Sequence, residues 1–246
     1  MRNSSVVGCL LSILPDRRTT GSAGLVTPGG WIDDVTDRYA DLRREYALGG
    51  LTEADLAPDP FAMFQRWYHD AVTAAVYEPN AMVVATSTPD GRPSARLVLL
   101  KGFSPAGWVF FTNLGSRKGA ELIANPRVAL LFPWHPLERQ VRVDGIASVL
   151  GRDEVAAYFA TRPRGSQLGA HASHQSREVG SRQQLDDAWA AADAAYPGDV
   201  PVPEQWGGFR VEPEAVEFWQ GRPGRMHDRL VYRRDGDAWS VHRLAP

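Results

Sequence analysis

With 246 residues, 43% of them hydrophobic, the chain is long enough to bury a sizeable core as one large domain or two small ones. A formal net charge of −2 leaves no basic excess to neutralise phosphates nonspecifically, so neither nucleic acid nor a membrane surface is expected as a partner and any anion site must be local. The single cysteine, Cys9, cannot close an intrachain disulfide, and six scattered histidines with no second cysteine speak against structural zinc; no metal is expected, and a reducing, cytoplasmic setting is.

In chain order, the apolar run from Val6 to Leu14 follows Arg2 and has the look of a short signal-peptide core, but it falls far below the ~20 residues of a membrane span. Pro15 ends it, and the Gly/Ser/Thr-rich stretch to Gly30 reads as a disordered leader or an over-long start, which sets residues 1–33 apart from a single domain over 34–246. Asp34 to Leu48 carries Val35, Tyr39, Leu42 and Tyr46 at helical spacing, with Gly49-Gly50 as the stop. Pro60 opens a second helix expected from Asp59 to about Tyr77.

The period then changes. Ala81–Ser87 and Ser94–Leu100 are strands joined at Pro89-Asp90-Gly91, a hairpin. Trp108–Thr112, Arg127–Phe132 and Arg139–Leu150 are further strands, with a short helix from Ser116 to Ala124 between the first two. Helices are expected over Asp153–Ala160 and Arg177–Ala195, then a Pro/Gly linker to Pro203. Phe209–Val211, Ala215–Trp219, Arg229–Arg233 and Trp239–Arg243 close the chain as strands, the last two turning at Asp235-Gly236. The expected fold is mainly β with peripheral helices, an antiparallel sheet curled into a small barrel.

Lys101 and Lys118 are the only lysines among 27 Lys and Arg, so these two positions call for a compact ammonium, unless they are chance retentions. Lys118 sits in Asn113-Leu114-Gly115-Ser116-Arg117-Lys118. Ser116 is a fitting N-cap there, and two cations occupy the first helical turn, where the helix dipole disfavours them. A phosphate docked at that helix end would justify them; a solvated loop is the alternative. Arg96 and Lys101 bracket an apolar strand five residues apart, which puts them on opposite faces unless a bulge intervenes. Arg225, His227 and Arg229 fall on one face at period two, which a solvated edge strand also explains. Tyr158, Arg162 and Ser166 cluster at a helix end stopped by Pro163 and could hold a second phosphate. No Gly-rich dinucleotide fingerprint, Walker loop, nucleophile elbow or paired-histidine zinc motif occurs; His171 and His174 read as loop residues, and the eight tryptophans as core and interface.

Asn113 to Lys118, Phe132-Pro133-Trp134-His135 with Glu138-Arg139-Gln140, and Phe218-Trp219-Gln220 with His227-Asp228-Arg229 recur in an order and spacing that resemble the pyridoxamine-phosphate oxidase family, over roughly residues 38 to 246. Leu42 to Tyr46, Gln175-Ser176 and Trp206 to Arg210 extend the likeness. The resemblance implies an FMN-binding split barrel that forms a homodimer with two FMN sites at the subunit interface, each lined by both chains. By that likeness FMN meets Arg96, Leu97, Val98, Leu99, Leu100, Lys101, Phe111, Thr112, Ser116, Arg117, Lys118, Gln140, Gln175, Ser176, Trp219 and Arg229. The substrate meets Arg43, Arg44, Glu45 and Tyr46 as a lid, Lys101, the phosphate grip Tyr158, Arg162 and Ser166, and Arg225, Met226 and His227, of which Arg225 and His227 are implied as catalytic. Phe111 stands where relatives often carry tyrosine, so a side-chain hydroxyl contact is not available there.

The implied reaction oxidises pyridoxine 5′-phosphate or pyridoxamine 5′-phosphate to pyridoxal 5′-phosphate, with O2 as acceptor and H2O2 as product. Rival readings are a split-barrel flavin or deazaflavin reductase, which need not keep the substrate-side residues, and a flavin- or pyridoxal-phosphate-binding carrier without turnover.

Overall fold

Alternation of buried and open positions, the mark of strands with one face on a core, runs through β1 (Ala81–Ser87), β5 (Arg127–Trp134) and β6 (Arg139–Val149) in a computed structural model that describes residues 45–246. Around them lie β2 (Pro93–Leu99), β3 (Gly102–Ser104), β4 (Gly107–Asn113), β7 (Trp206–Gln220), β8 (Asp228–Asp235) and β9 (Ala238–Arg243). Every pairing is antiparallel, in the order β2-β1-β5-β6-β7-β4-β3, with β8 joined to β7 and β9 to β8. The expected mainly β fold with peripheral helices is what forms.

β7 is the spine. β6 pairs along one edge of it, while the other edge takes β4 over Trp206–Val211 and β8 over Ala215–Gln220. The sheet therefore divides into two wings hinged on one strand. The register shifts between Asp144 and Gly145, opposite Pro213, a bulge that tolerates a residue without an N–H.

Helix α1 (Pro60–Thr73) closes the core. Asp59 caps it by accepting from Phe61 N and Ala62 N at 2.9 Å, and Pro60 takes the first position. Met63, Phe64, Trp67 and Ala71 fall on one face and are buried against Met82, Phe132, Trp134 and Phe218. A second core joins Val109 and Trp206 of the sheet to Val155, Phe159, Leu168 and Ala192 from α3 (Arg152–Ala160), α4 (Arg164–Ala172) and α5 (Arg182–Ala195). Helix α2 is Arg117–Ala124. Among the described residues no helix is long and apolar enough to cross a membrane.

Several expectations are corrected. Of the helix expected over 34–48, residues 34–44, like the leader 1–33, lie outside the described residues, and Glu45–Leu48 is not helical. The Ala47 and Leu48 N–H groups donate to Glu138 Oε2 at 2.9 and 3.0 Å instead of to a helical carbonyl. Helix α1 stops at Thr73 rather than near Tyr77, because Ala75 turns left-handed (φ 51°) and Val76 N–H donates back to Ala71 O. The loop expected around Ser166 holds helix α4, which also places His171 on a helix, and α5 starts at Arg182, capped by Ser181. The two strands expected at 209–211 and 215–219 are one, β7. Arg225 to Arg229 is not a continuous strand: Pro223–Arg225 is a 3-10 turn with Gly224 and Arg225 at φ 63° and 62°, and β8 begins only at Asp228. The period-two face of cations therefore does not form.

Candidate active site

Strand β2 lies at the sheet margin, and its side chains face a cavity of about 1030 Å³ also walled by β4, α2, α3, α4 and the Gln175-Ser176 loop. Its charged lining consists of Arg96, Lys101, Arg117, Lys118 and Arg162, with no Asp or Glu among the lining residues. In a chain of net charge −2, that is a local concentration of cations.

At one end, Ser116 caps α2 by accepting from Gly119 N–H, and Gly119 itself is required: a Cβ there would stand 2.3 Å from Leu114 O. Lys118 is 8% exposed, and its Nζ donates to Thr112 Oγ1 and Gln175 Oε1, both at 2.8 Å, and to Ser116 Oγ at 3.4 Å. Burial first, and the neighbouring Arg96 charge second, bring its pKa down to about 8.

Behind this end lies Glu121, which the sequence reading did not single out. Its Oε2 accepts from Thr86 and Ser94 at 2.5 Å and lies 3.5 Å from Arg96, and its Oε1 accepts from Arg117 Nε at 2.8 Å. Burial alone would raise the Glu121 carboxyl; the bonds from Ser94, Thr86 and Arg117, together with the Arg117 charge, overcome it and hold the pKa at about 2. Arg96 further donates to Val84 O and Thr86 Oγ1, and is bonded to Ser94. The i,i+4 pairing of Arg117 with Glu121 was the available sequence signal.

At the other end three rings lie nearly parallel. Phe111 stacks on Tyr158 at 4.0 Å and 11°, and on Trp206 at 5.4 Å and 4°. Arg162 lies over the Trp206 and Phe159 rings, and its Nη1 is buried without a hydrogen-bond partner among the described residues. Ser166 is in the first turn of α4 and Lys101 follows β2, 5.9 Å from the Tyr158 ring, so strand termination rather than a bulge lets Lys101 and Arg96 line one cavity.

The structure brings together Arg96, Leu97, Val98, Leu99, Lys101, Phe111, Thr112, Arg117, Lys118, Tyr158, Arg162, Ser166, Gln175 and Ser176 around this cavity. Leu100 turns into the core, and Ser116 is fully buried at its cap position. Gln140, Trp219 and Arg229 form a separate row across β6, β7 and β8. There Arg229 pairs with buried Glu217 at 2.7 and 3.2 Å. Tyr46 and His227 pack on Trp219 at 5.8 and 4.6 Å, and Tyr46 comes so close to Gly221 that a Cβ would stand 2.7 Å from it. His227 Nδ1 accepts from Arg222 N–H at 3.1 Å, so the neutral ring carries its proton on Nε2. Arg225 and Met226 are exposed on the turn that precedes β8. Arg43 and Arg44 lie outside the described residues.

Residues 68–220 match the family described as pyridoxamine 5′-phosphate oxidase, and residues 206–246 match the pyridoxine 5′-phosphate oxidase C-terminal dimerisation region. The chain belongs to the pyridoxamine 5′-phosphate oxidase family. It is 62% identical over 207 residues to a pyridoxine/pyridoxamine 5′-phosphate oxidase of Nocardioides sp., covering 84% of this chain and 97% of the relative. A protein of the same name from Rubrobacter xylanophilus is 58% identical, over 84% of this chain and 96% of the relative. Among solved structures, PhzG from Burkholderia lata 383 in complex with tetrahydrophenazine-1-carboxylic acid aligns with TM-score 0.75 and 33% identity, over 80% of this chain and 98% of that one. A pyridoxamine 5′-phosphate oxidase-related, FMN binding protein from Nostoc punctiforme shares the fold, with TM-score 0.62 and 16% identity, over 78% and 100%. The cavity cations thus lie on or just after β2, on α2 and at the α3–α4 corner, while Trp219 and Arg229 lie within the residues that match the dimerisation region.

Proposed function

We propose that this chain is an FMN-dependent oxidase that converts pyridoxine 5′-phosphate, or with water taken up and ammonia released pyridoxamine 5′-phosphate, to pyridoxal 5′-phosphate, reducing O2 to H2O2. The observation that carries the proposal is a cavity lined, among the described residues, by five cations and no acid, with a buried Arg162 Nη1 that none of those residues satisfies. Two phosphorylated molecules, flavin mononucleotide and the vitamer, suit it, and the cations divide into two groups accordingly. Arg96 and Arg117, braced by Glu121, and Lys118, held by Thr112 and Gln175, are suited to the FMN phosphate. Lys101, Tyr158, Arg162 and Ser166 are suited to the vitamer phosphate. FMN, when bound, supplies the two-electron acceptor.

The Trp219 row belongs to the same reading. Trp206 at the cavity and Trp219 are thirteen residues apart on β7, roughly 40 Å of strand path at ~3.3 Å per residue, more than a mononucleotide spans. A homodimer in which a second copy brings Gln140, Trp219, Arg225, His227 and Arg229 to the cavity makes one site of the two groups, and the match to a dimerisation region supports it. In that arrangement the phosphate grip fixes the vitamer, and His227 offers Nε2–H beside Arg225 to orient the C4′ substituent. With Nδ1 already accepting a backbone N–H, neutral His227 donates a hydrogen bond rather than taking a proton.

A carboxylated tricycle of the kind bound by PhzG is the second reading. The buried, unpartnered Arg162 beside Tyr158 and Ser166 favours a phosphate monoester over it. The test is anaerobic: purified flavin-loaded protein receives pyridoxine 5′-phosphate, and flavin absorption is followed. Bleaching that air reverses, with pyridoxal 5′-phosphate formed, is the expected result. Flavin that stays oxidised with both phosphorylated vitamers, whether or not it bleaches with tetrahydrophenazine-1-carboxylic acid, would overturn the proposal.

A further inference from the structure

Arg162 is held in an unusual way for a buried cation. Among the described residues no carboxylate pairs with it; burial lowers its pKa, and only Tyr158 acts in the opposite direction. Its guanidinium carbon instead lies 4.7 Å from the Trp206 ring centroid and 5.4 Å from that of Phe159. The distinction matters chemically. A carboxylate would occupy two of the N–H donors and cancel the charge, whereas a ring face attracts the guanidinium plane and leaves its edge free for another acceptor.

Trp206 is well placed for this. It is 6% exposed, opens β7 opposite Asn113 of β4, and its carbonyl accepts from Arg152 at 2.8 Å, so backbone and ring are both fixed. Its ring meets Phe159 edge-on at 4.9 Å and stacks on Phe111, which also stacks on Tyr158, and the Tyr158 and Trp206 rings lie nearly parallel with centroids 6.1 Å apart. The two polar groups of the grip therefore share one aromatic support.

We propose that Trp206 is a positioning residue for the substrate phosphate: its face holds Arg162, and through Phe111 it holds Tyr158, so that both present their polar edges to a phosphate monoester. The inference rests on the B6-phosphate reading and extends it. It gives Trp206 a role in substrate affinity, not flavin affinity, because the cations suited to FMN are tied to Glu121 and Gln175 instead. It also gives Phe111 a use for a ring without a hydroxyl.

The probe is 4-deoxypyridoxine 5′-phosphate, which has no oxidisable C4′ hydroxyl, titrated calorimetrically into flavin-loaded protein, with its dephosphorylated form as control. Trp206→Leu is expected to weaken binding about tenfold, Trp206→Phe to restore it to within about threefold, and flavin affinity to change by less than about twofold in both. On an Arg162→Ala background, Trp206→Leu is expected to add less than about twofold, since the two act through one contact. A Trp206→Leu variant that binds the probe like the wild type, or whose effect multiplies fully with that of Arg162→Ala, overturns the inference. Should Trp206→Leu not fold, the cycle is run with Trp206→Phe against Arg162→Lys, where full multiplicativity has the same meaning. A wild-type protein that binds neither form of the probe overturns the phosphate-site reading itself, and this inference with it.

Discussion

Lys118 shows at the level of one residue how the cavity works. Three oxygens, from Thr112, Gln175 and Ser116, surround its Nζ, an arrangement that suits a compact ammonium and not a planar guanidinium. The rarity of lysine in the chain made this position legible, because 25 of 27 basic residues are arginine and the exception must answer a need. Glu121 was legible only in its i,i+4 spacing from Arg117, which signals one of the four donors that converge on it and none of the other three. The lowered Lys118 pKa has a functional consequence with a definite sign. Burial has brought the ammonium to about 8, and an anion bound beside it favours the charged form, so binding takes up a proton once the free group begins to lose one. FMN affinity is expected to hold steady below pH 8 and to fall by up to about tenfold per unit above it, as read by quenching of flavin fluorescence. Lys118→Met should bind FMN more weakly and without that slope; a wild-type affinity flat from pH 7 to 10 would contradict the assignment.

Elements were legible where local chemistry and tertiary packing agree. The hairpin at Pro89-Asp90-Gly91 and the Asp59-Pro60 start of α1 announce themselves, because Gly91 takes φ 87° and Asp59 caps two N–H groups. The end of α1 did not, since the left-handed residue that terminates it is Ala75 and not a glycine. The same reasoning explains β7: Pro213 reads as a break, yet it sits at the bulge opposite Gly145, beyond the end of β4 and before the start of β8, where no N–H is needed. Helix α4 was hidden because Gly165, Ser166 and Gly169 are poor helix formers, and one buried side chain, Leu168, ties it to the core. Ala75→Gly is expected to stabilise the protein by about 0.5–1 kcal/mol, the relief of a left-handed Ala exceeding the added freedom of the unfolded chain. Thermal or urea unfolding measures it, and a lower midpoint would show that the Ala75 methyl makes contacts worth more than its strain.

At the scale of the whole molecule, the family resemblance carried what periodicity could not. Alternation and turns pointed to an antiparallel barrel, but nothing in them links Lys118 to Trp219, and within one chain the two stand in separate groups. On the spine strand the cavity lies near the first residue and the Trp219 row near the last, so the proposed site draws one group from each of two copies. The central claim is that an active site consists of one chain's cationic cavity and another's Trp219 row, and complementation tests it most directly. An Arg162→Ala chain and an Arg225→Ala/His227→Leu chain, each impaired alone, are unfolded together, refolded as a mixture and assayed for oxidation of pyridoxine 5′-phosphate. If half of the dimers are mixed and each carries one intact site, about a quarter of wild-type activity should return. Activity that never exceeds the sum of the separate variants, in a mixture shown to contain mixed dimers, would mean that each chain builds its site alone.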